Sequence, residues 1–377
     1  MVLSFETKRR LALWLVPGLG PKRINRLLNA FGDSDSIFNA STASLTRVEG
    51  ISKILASLIQ NANNCPALDQ ECQLIEKYQL NLFSPADCQY PNLLKEIHTN
   101  PPVIYLKGGI DFNQGLFIGV VGSRKASYSG KSFCKKLIKH LAQISNDITI
   151  VSGLALGIDA VAHKAAMENG LKTIAVMAGG LSEIYPSQHK ELSRRISECG
   201  ALVTEFPIMT KPSAGNFPLR NRIISGVSKG VVVIEAGERS GALITAGFAL
   251  EQNRELFALP GQVDSSYYRG TNRLIQRGQA KLVLEAQDII EELQPALLST
   301  NSNSQSTDPS ITKGLTPDEM LILKQLENRS MHRDVLANEL NMPLPKCLAV
   351  LTTLEIKGLI ISKAGSQFER TDCKIIF

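Results

Sequence analysis

Two hydrophobic periods divide this chain. Through residues 1–80 the apolar positions recur at helical spacing. "TKRRLALWLVPGLGPKRINRLLNAFGD" has an apolar face broken by "PGLG", and "LTRVEGISKILASLIQ" repeats it around "VEGIS". Each half is a hydrophobic residue, a Gly hairpin and then a helix. That pattern fits a helix-hairpin-helix, whose hairpin N–H groups face a phosphate. It fits equally two plain helical hairpins packed on one another. Residues 81–116, with "YPNLLKEIHTNPPVIYLKGG", read as an irregular Pro-rich connector. From residue 117 short β-branched runs alternate with amphipathic helical stretches. The runs are "LFIGVV", "ITIVSG", "KTIAVMAGG", "ALVTEFP", "GVVVIEA" and "ELFALPG". Alternation of this kind predicts an α/β fold, a doubly wound parallel sheet covered on both faces. Nearly every run ends in Gly, Ser, Pro or an acid, and ligands of such sheets bind beyond the carboxyl ends of the strands.

After residue 294 the pattern changes again. "PALLSTNSNSQSTDPSITK" is poor in hydrophobics and rich in Ser, Thr and Asn, so residues 295–313 read as a flexible linker. Beyond it come three helical stretches and a short hairpin, "IISKAGSQFER". "LANELNMPLPKCLAVLTTLEIKGLI" has helix-turn-helix spacing, and the hairpin would be its wing. The second helix offers mainly Lys346 and Lys357 among Leu, Ala, Thr and Val, which favours a protein-interaction or packing module over a sequence reader. The expected domains are a helical one at 1–85, an α/β one at 86–294, the linker, and a winged-helix-like one at 314–377.

Composition narrows the class. At 377 residues two or three domains are expected. A net charge of +6 permits a polyanionic partner without requiring one. No apolar run reaches the ~18–20 residues that span a bilayer. "MVLSFETKRRLALWLVPG" lacks the long apolar core and cleavage site of a signal peptide, so a cytoplasmic protein without membrane partners is expected. Seven cysteines with no CxxC read as reduced, structural thiols, and metal binding is not expected.

The candidate chemistry lies at the strand ends. "VVGSRKASYSGKSF" looks like a P-loop, but a P-loop has four residues between its first Gly and its GK pair. Here Gly122 and Gly130 enclose seven. A dinucleotide GxGxxG is absent too. What remains is strand, "GSR", helix: Gly122 lets the backbone approach an anion, Ser123 offers a hydroxyl, and Arg124 grips phosphate with its fork. Lys131 and Ser132 then lie on an ordinary helix. "VSGLALGIDAVAHKAA" repeats the geometry, with Ser152 and Gly153 at the turn and Asp159 as a helix cap; Asp159 and His163 lack the further ligands of a metal site. In "GNFPLRNRIISGVSKG", Phe217, Arg220, Asn221 and Arg222 surround a helix start and suit a nucleic-acid backbone with a base stacked nearby. Ser240 and Gly241 are candidate donors at another helix start. "LPGQ" with Gly270, Thr271 and Asn272 suggests further phosphate contacts. Glu235 is the one plausible catalytic acid; anchoring of Arg239 or a backbone N–H is the preferred role.

Taken in order, "VVGSRKASYSG", "VSGLALGIDAVAHKAA", "YPSQHKEL", "GALVTEFP", "GNFPLRNRIISGVSKGVVVIEAGERSGALITAGFALEQ", "ALPGQ" and "GTNRLIQRG" resemble the DNA-processing protein A family, DprA/Smf. The resemblance covers residues 90–290. It implies an extended Rossmann-like domain that binds single-stranded DNA without sequence preference, a homodimer, and delivery of strands to the RecA recombinase in natural transformation. It implies no catalysis and no cofactor. It puts Arg124, Arg220 and Arg222 together in one basic pocket. Gln279 and Ile208 depart from the family's usual Ala and Pro, away from the phosphate grip. A competing expectation is a Rossmann-like nucleotide hydrolase of the nucleoside monophosphate phosphoribohydrolase type, using Glu235 and Arg222. Against it, "GGL" follows Ala178 rather than Pro. A third is a structural partner protein whose active part is the winged module.

Overall fold

The computed structural model describes residues 3–295, 316–326, 330–340, 342–357, 359–363 and 366–370. It divides into two units, Met1–Asn301 and Ser302–Phe377. The expected linker lies, after Pro295, outside the described residues.

The first unit opens with six helices: α1 (Phe5–Trp14), α2 (Pro21–Phe31), α3 (Ser34–Asn39), α4 (Thr42–Thr46), α5 (Lys53–Ala62) and α6 (Pro66–Lys77). Ser4, Asp33, Ser41 and Ser52 cap four of them with side-chain oxygens, and Pro21 and Pro66 open the other two. Gly18 and Gly50 turn the two hairpins at φ of +83° and +87°, a region that favours glycine. Arg26 ties the hairpins together: it donates to the Glu49 carbonyl at 3.2 Å and pairs with the Glu49 carboxylate at 3.1 Å.

The rest of the unit runs β1 (Asn81–Phe83), α7 (Asn92–Lys95), β2 (Ile104–Gly108), β3 (Leu116–Val121), α8 (Tyr128–Ile144), β4 (Ile148–Ser152), α9 (Ile158–Glu168), β5 (Lys172–Val176), α10 (Lys190–Cys199) and β6 (Ala201–Thr204). It continues with α11 (Asn216–Gly226), β7 (Gly230–Val233), α12 (Ala242–Glu251), β8 (Glu255–Ala258), α13 (Arg269–Gln276), β9 (Lys281–Leu282) and α14 (Ala286–Leu293). The nine strands form one sheet in the order β1-β2-β6-β5-β4-β3-β7-β8-β9. From β6 to β9 all neighbours are parallel, while β2 and β1 extend the edge antiparallel.

Both faces are covered, which is why β3 is buried along its whole length. Ile118 and Val120 point to the face packed by α8, α9 and α14; Phe117 and Val121 point to the face packed by α11 and α12. The helical region is not free of the sheet. Leu11, Leu13, Ile24 and Ile59 share one core with Tyr105, Met177, Leu202 and Ile196. Trp14 Nε1 donates to the Glu205 carbonyl at 2.7 Å, and the Ile208 N–H donates to Glu71 Oε1 at 2.8 Å.

Two expectations need correction. The connector at 81–116 is not irregular: β1, α7 and β2 lie in it. Because β1 already belongs to the sheet, the helical region ends before residue 81 rather than at 85.

The second unit comprises α15 (Pro317–Gln325), β10 (Met331–His332), α16 (Arg333–Glu339), α17 (Leu344–Ile356), β11 (Ile360–Lys363) and β12 (Gln367–Arg370). Its small sheet, in the order β10-β12-β11, and the buried Ile322, Leu336, Leu351 and Leu354 form a winged helix with its own core.

Candidate nucleic-acid interface

The connections reverse direction at β3, which has β4 on one side and β7 on the other. Beyond the carboxyl ends of these strands lies a cleft of about 860 Å³. Its walls are the β3–α8 loop, the β4–α9 turn, Tyr185, the start of α11, and the β7–α12 loop with the start of α12. This is the topological switch point where open α/β sheets bind ligands.

The β3–α8 loop is held at both ends by one residue. The Ser123 N–H donates to the Glu235 carbonyl at 2.7 Å, and the Ser127 N–H donates to Glu235 Oε2 at 3.0 Å. Burial pushes the Glu235 carboxyl up from its ordinary value, and the Ser127 donors pull it partly back. Gly130 packs so closely on this carboxylate that a Cβ there would overlap Oε2. Glu235 therefore anchors a backbone N–H, as preferred from the sequence; Arg239 instead lines the cleft. Gly122 has no room for a side chain either, since a Cβ would lie 2.6 Å from Ile158 Cγ1. With the loop pinned, Arg124 and Lys125 stand exposed on the cleft wall.

Arg124 lies over the Phe217 ring, its Cζ 5.0 Å from the centroid, and Tyr185 meets the same ring edge-on at 5.7 Å. A guanidinium on an aromatic face loses less freedom when it binds a phosphate, because it is already oriented. Helices α9, α11 and α12 all start at the cleft behind glycine N-caps, and their first N–H groups are already engaged: Ile158 donates to the Ser123 carbonyl at 3.2 Å, Asn216 to the Ser213 carbonyl at 3.0 Å and Ala242 to Ser240 Oγ at 3.3 Å. The aligned peptide dipoles of these helix starts still favour an anion at the cleft. Helix α8 is different: the Ser127 hydroxyl caps it, and Lys131 and Ser132 lie on it as expected.

Arg220 lines the cleft floor but is almost wholly buried. Its Nη1 donates to the Gly153 carbonyl at 2.6 Å and to the Val176 carbonyl, and its Nε donates to Asn221 Oδ1 at 3.2 Å. Burial lowers its pKa to about 10; Asp159 opposes that shift and Arg124 adds to it. Asp159 is not the N-cap of α9, which is Gly157. It accepts from the Gly153 and Ala155 N–H groups at 3.1 and 3.4 Å and is the counter-charge of Arg220. Arg220 thus joins the ends of β4 and β5 to α11, while the unbalanced positive charge of the cleft comes from Arg124, Lys125 and Arg239. His163 is buried and neutral. Thr173 donates to the Ile150 carbonyl, so His163 Nδ1–H donates to Thr173 Oγ1 at 2.7 Å, and Nε2 accepts the Leu154 N–H at 3.3 Å. Burial, with His189 and Arg220 nearby, lowers its pKa to about 3.

Gly122, Ser123, Arg124, Phe217, Arg220, Asn221, Ser240 and Gly241 therefore meet in one cleft. Five other expected site residues do not line it. Arg222 points away and forms a buried ion pair with Glu205. The Ser152 hydroxyl donates to the Val120 carbonyl at 2.7 Å, and the Gly153 carbonyl is taken by Arg220. Thr271 is fully buried, with its hydroxyl on the Tyr268 carbonyl at 3.0 Å. Asn272 clamps both backbone groups of Gly261, at 3.1 and 3.0 Å. The "PG…GT" pair folds a loop back on itself instead of facing the cleft. Lys125, Tyr185 and Arg239 were missed as site residues; the first adjoins Arg124, and the second lies in the quoted "YPSQHKEL".

In the second unit, Lys346 pairs with Asp318 and Lys357 with Glu319, each at 2.7 Å. The two lysines that a reader of DNA would offer are engaged within the unit.

Fold and cleft define a doubly wound α/β protein whose switch point is built from backbone donors, arginines and aromatics. Comparison with known proteins makes this specific. The family described as DNA recombination-mediator protein A matches residues 81–294, the DprA winged helix domain matches 306–366, and a SAM-like helix-hairpin-helix tandem matches 12–62. Protein Smf of Synechocystis is 33% identical, with 95% of this chain and 98% of that protein aligned. Protein Smf of Escherichia coli is 40% identical over 74% of this chain and 75% of its own. Among solved structures, DNA processing protein A of Streptococcus pneumoniae superposes with a TM-score of 0.68 at 34% identity, covering 78% of this chain and 99% of that one. A Helicobacter pylori DNA processing protein A, described for its single-stranded DNA binding mode, gives 0.52 at 27% identity, covering 58% and 97%. The chain belongs to the DNA-processing protein A (DprA/Smf) family.

Proposed function

We propose that the switch-point cleft binds single-stranded DNA by its backbone, without sequence preference, and that the protein passes such strands to a RecA-type recombinase as a homodimer during natural transformation. The observation that carries the binding step is the convergence of three helix starts with Arg124, Lys125 and Arg239 beside the Phe217 and Tyr185 rings. Phosphate is the anion that helix starts and guanidinium groups suit, and the exposed Tyr185 ring, backed by the half-buried Phe217, offers a platform to a base that a duplex would keep stacked inside. The related H. pylori protein, described by its single-stranded DNA binding, supports the same reading. Delivery to the recombinase and dimerisation rest on family membership.

A binding protein rather than a nucleotide hydrolase is favoured because the Glu235 carboxylate is committed to Ser127, and Arg222 to Glu205. The test is a titration of labelled dT, dA and dC strands and of a duplex across a salt series. The expected result is tight, salt-sensitive binding of all three strands and weaker binding of duplex. Affinity for strands that stays flat with salt, or release of free base from nucleoside monophosphates, overturns the proposal.

A further inference from the structure

Helix α8 carries a feature that the cleft does not use. Its sequence, "YSGKSFCKKLIKHLAQI", contains Lys131, Lys135, Lys136 and Lys139 and no Asp or Glu. All four lysines are exposed, and none enters an ion pair among the described residues. The neighbouring helices do bear acids. Helix α9 carries Asp159 and Glu168, and α14 carries Asp288, Glu291 and Glu292. Of these, Glu292 pairs with Lys281, Asp159 faces Arg220, and Asp288 accepts from the backbone of Leu284 and Glu285. Like charges one turn apart weaken a helix. Here the buried face of Cys134, Leu137, Ile138 and Leu141 holds the helix in place.

The row is continuous with the cleft. Only Ala126 and Ser127 separate Lys125, on the cleft wall, from Tyr128 at the start of α8. Tyr128 is 89% exposed. Lys131, Lys135 and Lys139 then follow at one-turn intervals, each step rising about 6 Å along the axis.

We propose that α8 is an exit track for the DNA strand, resting on the reading of the cleft as a single-strand site. A strand leaving the cleft passes over Tyr128, which offers a stacking platform, and its phosphates run along Lys131, Lys135 and Lys139. Lysines here act as point charges on flexible stems, so the track adds affinity without adding sequence preference. It also fixes the direction in which bound DNA emerges, past the end of the cleft bounded by the Arg124 loop.

The test uses the full chain and two dT strands, one of about six nucleotides that fills only the cleft and one of about twenty that also covers the track. The variant is K131Q/K135Q/K139Q; glutamine keeps helix propensity. Each phosphate contact on a single strand contributes about 0.7 to the slope of log Kobs against log salt, so the expected slope for the long strand falls by about 2. Binding of the short strand stays unchanged. An unchanged long-strand slope rejects the track. Equal losses on both strands also reject it, because the lysines would then act on the cleft or the fold. A native chain that binds neither strand counts against the cleft itself, and the circular dichroism melt of the variant separates loss of the track from misfolding.

Discussion

Arg222 is where two accounts of the molecule part most sharply. If it gripped DNA, its loss would weaken binding and leave stability almost untouched. In the structure it is 4% exposed and pairs with Glu205, 1% exposed, where the helical region meets the sheet. Arg222→Met leaves the Glu205 carboxylate buried without its partner. Removing one member of a buried pair costs about 3–5 kcal/mol. Burial already pushes the Glu205 carboxyl above its ordinary value of 4.5, with Arg222 pulling it back. In the variant that restraint is gone, so the folded-state pKa rises further above the unfolded one. Such a carboxyl loses stability as pH rises from the unfolded value towards the folded one, at about 1.4 kcal/mol per pH unit. The deficit is therefore largest at neutral pH and shrinks as pH falls towards 4.5.

The pair itself is imperfect: Glu205 Oε1 and Arg222 Nη1 have no protein partner among the described residues. Replacing both, as Arg222→Met with Glu205→Leu, should recover most or all of the loss, as apolar replacements of buried pairs do. Urea unfolding at neutral and mildly acidic pH measures both variants, and a strand titration across salt accompanies each. The structural account requires the single variant to unfold at lower urea and the double variant to recover. Both must keep the native salt slope. A single variant with native stability and a slope lower by about 0.7 refutes it and returns Arg222 to the DNA.

Burial of neutral His163 makes acid destabilising: its folded pKa of about 3 lies below the ordinary 6.5, so stability falls as pH drops below 6.5, by about 1.4 kcal/mol per unit. Urea midpoints between pH 7 and 5 should show this slope in the native chain and less of it in His163→Gln; equal slopes contradict the assignment. Gly130→Ala drives a Cβ into the Glu235 carboxylate and should cost about 1–3 kcal/mol, with weaker strand binding because the Arg124 loop shifts. Native midpoint and affinity in that variant would show that the loop does not depend on Glu235. Arg124→Ala should weaken dT, dA and dC strands alike and lower the salt slope by about 0.7, whereas loss confined to one sequence would indicate base readout.

Much of the architecture was legible because buried parallel strands are continuous β-branched runs; "LFIGVV" and "GVVVIEA" are unmistakable as β3 and β7. β1 and β2 escaped because they are short and lie among prolines, and the antiparallel pairing of β2 to β6, with β1 outside it, is a tertiary fact. The cleft was legible where glycine and arginine share one strand-end loop, as at Gly122–Arg124. Arg222 could have been separated from Arg220 without a structure: two residues apart on a helix, their side chains diverge by about 200°. Thr271 and Asn272 could not, because a loop that clamps its own backbone and one that holds phosphate use the same residue types. Asp159 looked like a cap because the counter-charge role depends on Arg220, 61 residues later in the chain.

Photocross-linking tests the central claim most directly. A dT strand irradiated on the native chain and mapped by mass spectrometry should attach at Tyr185 and Phe217, and Arg124→Ala should reduce the yield of those adducts. Adducts confined to the helical N-terminal region or to the winged helix, with none at the cleft, would contradict the account.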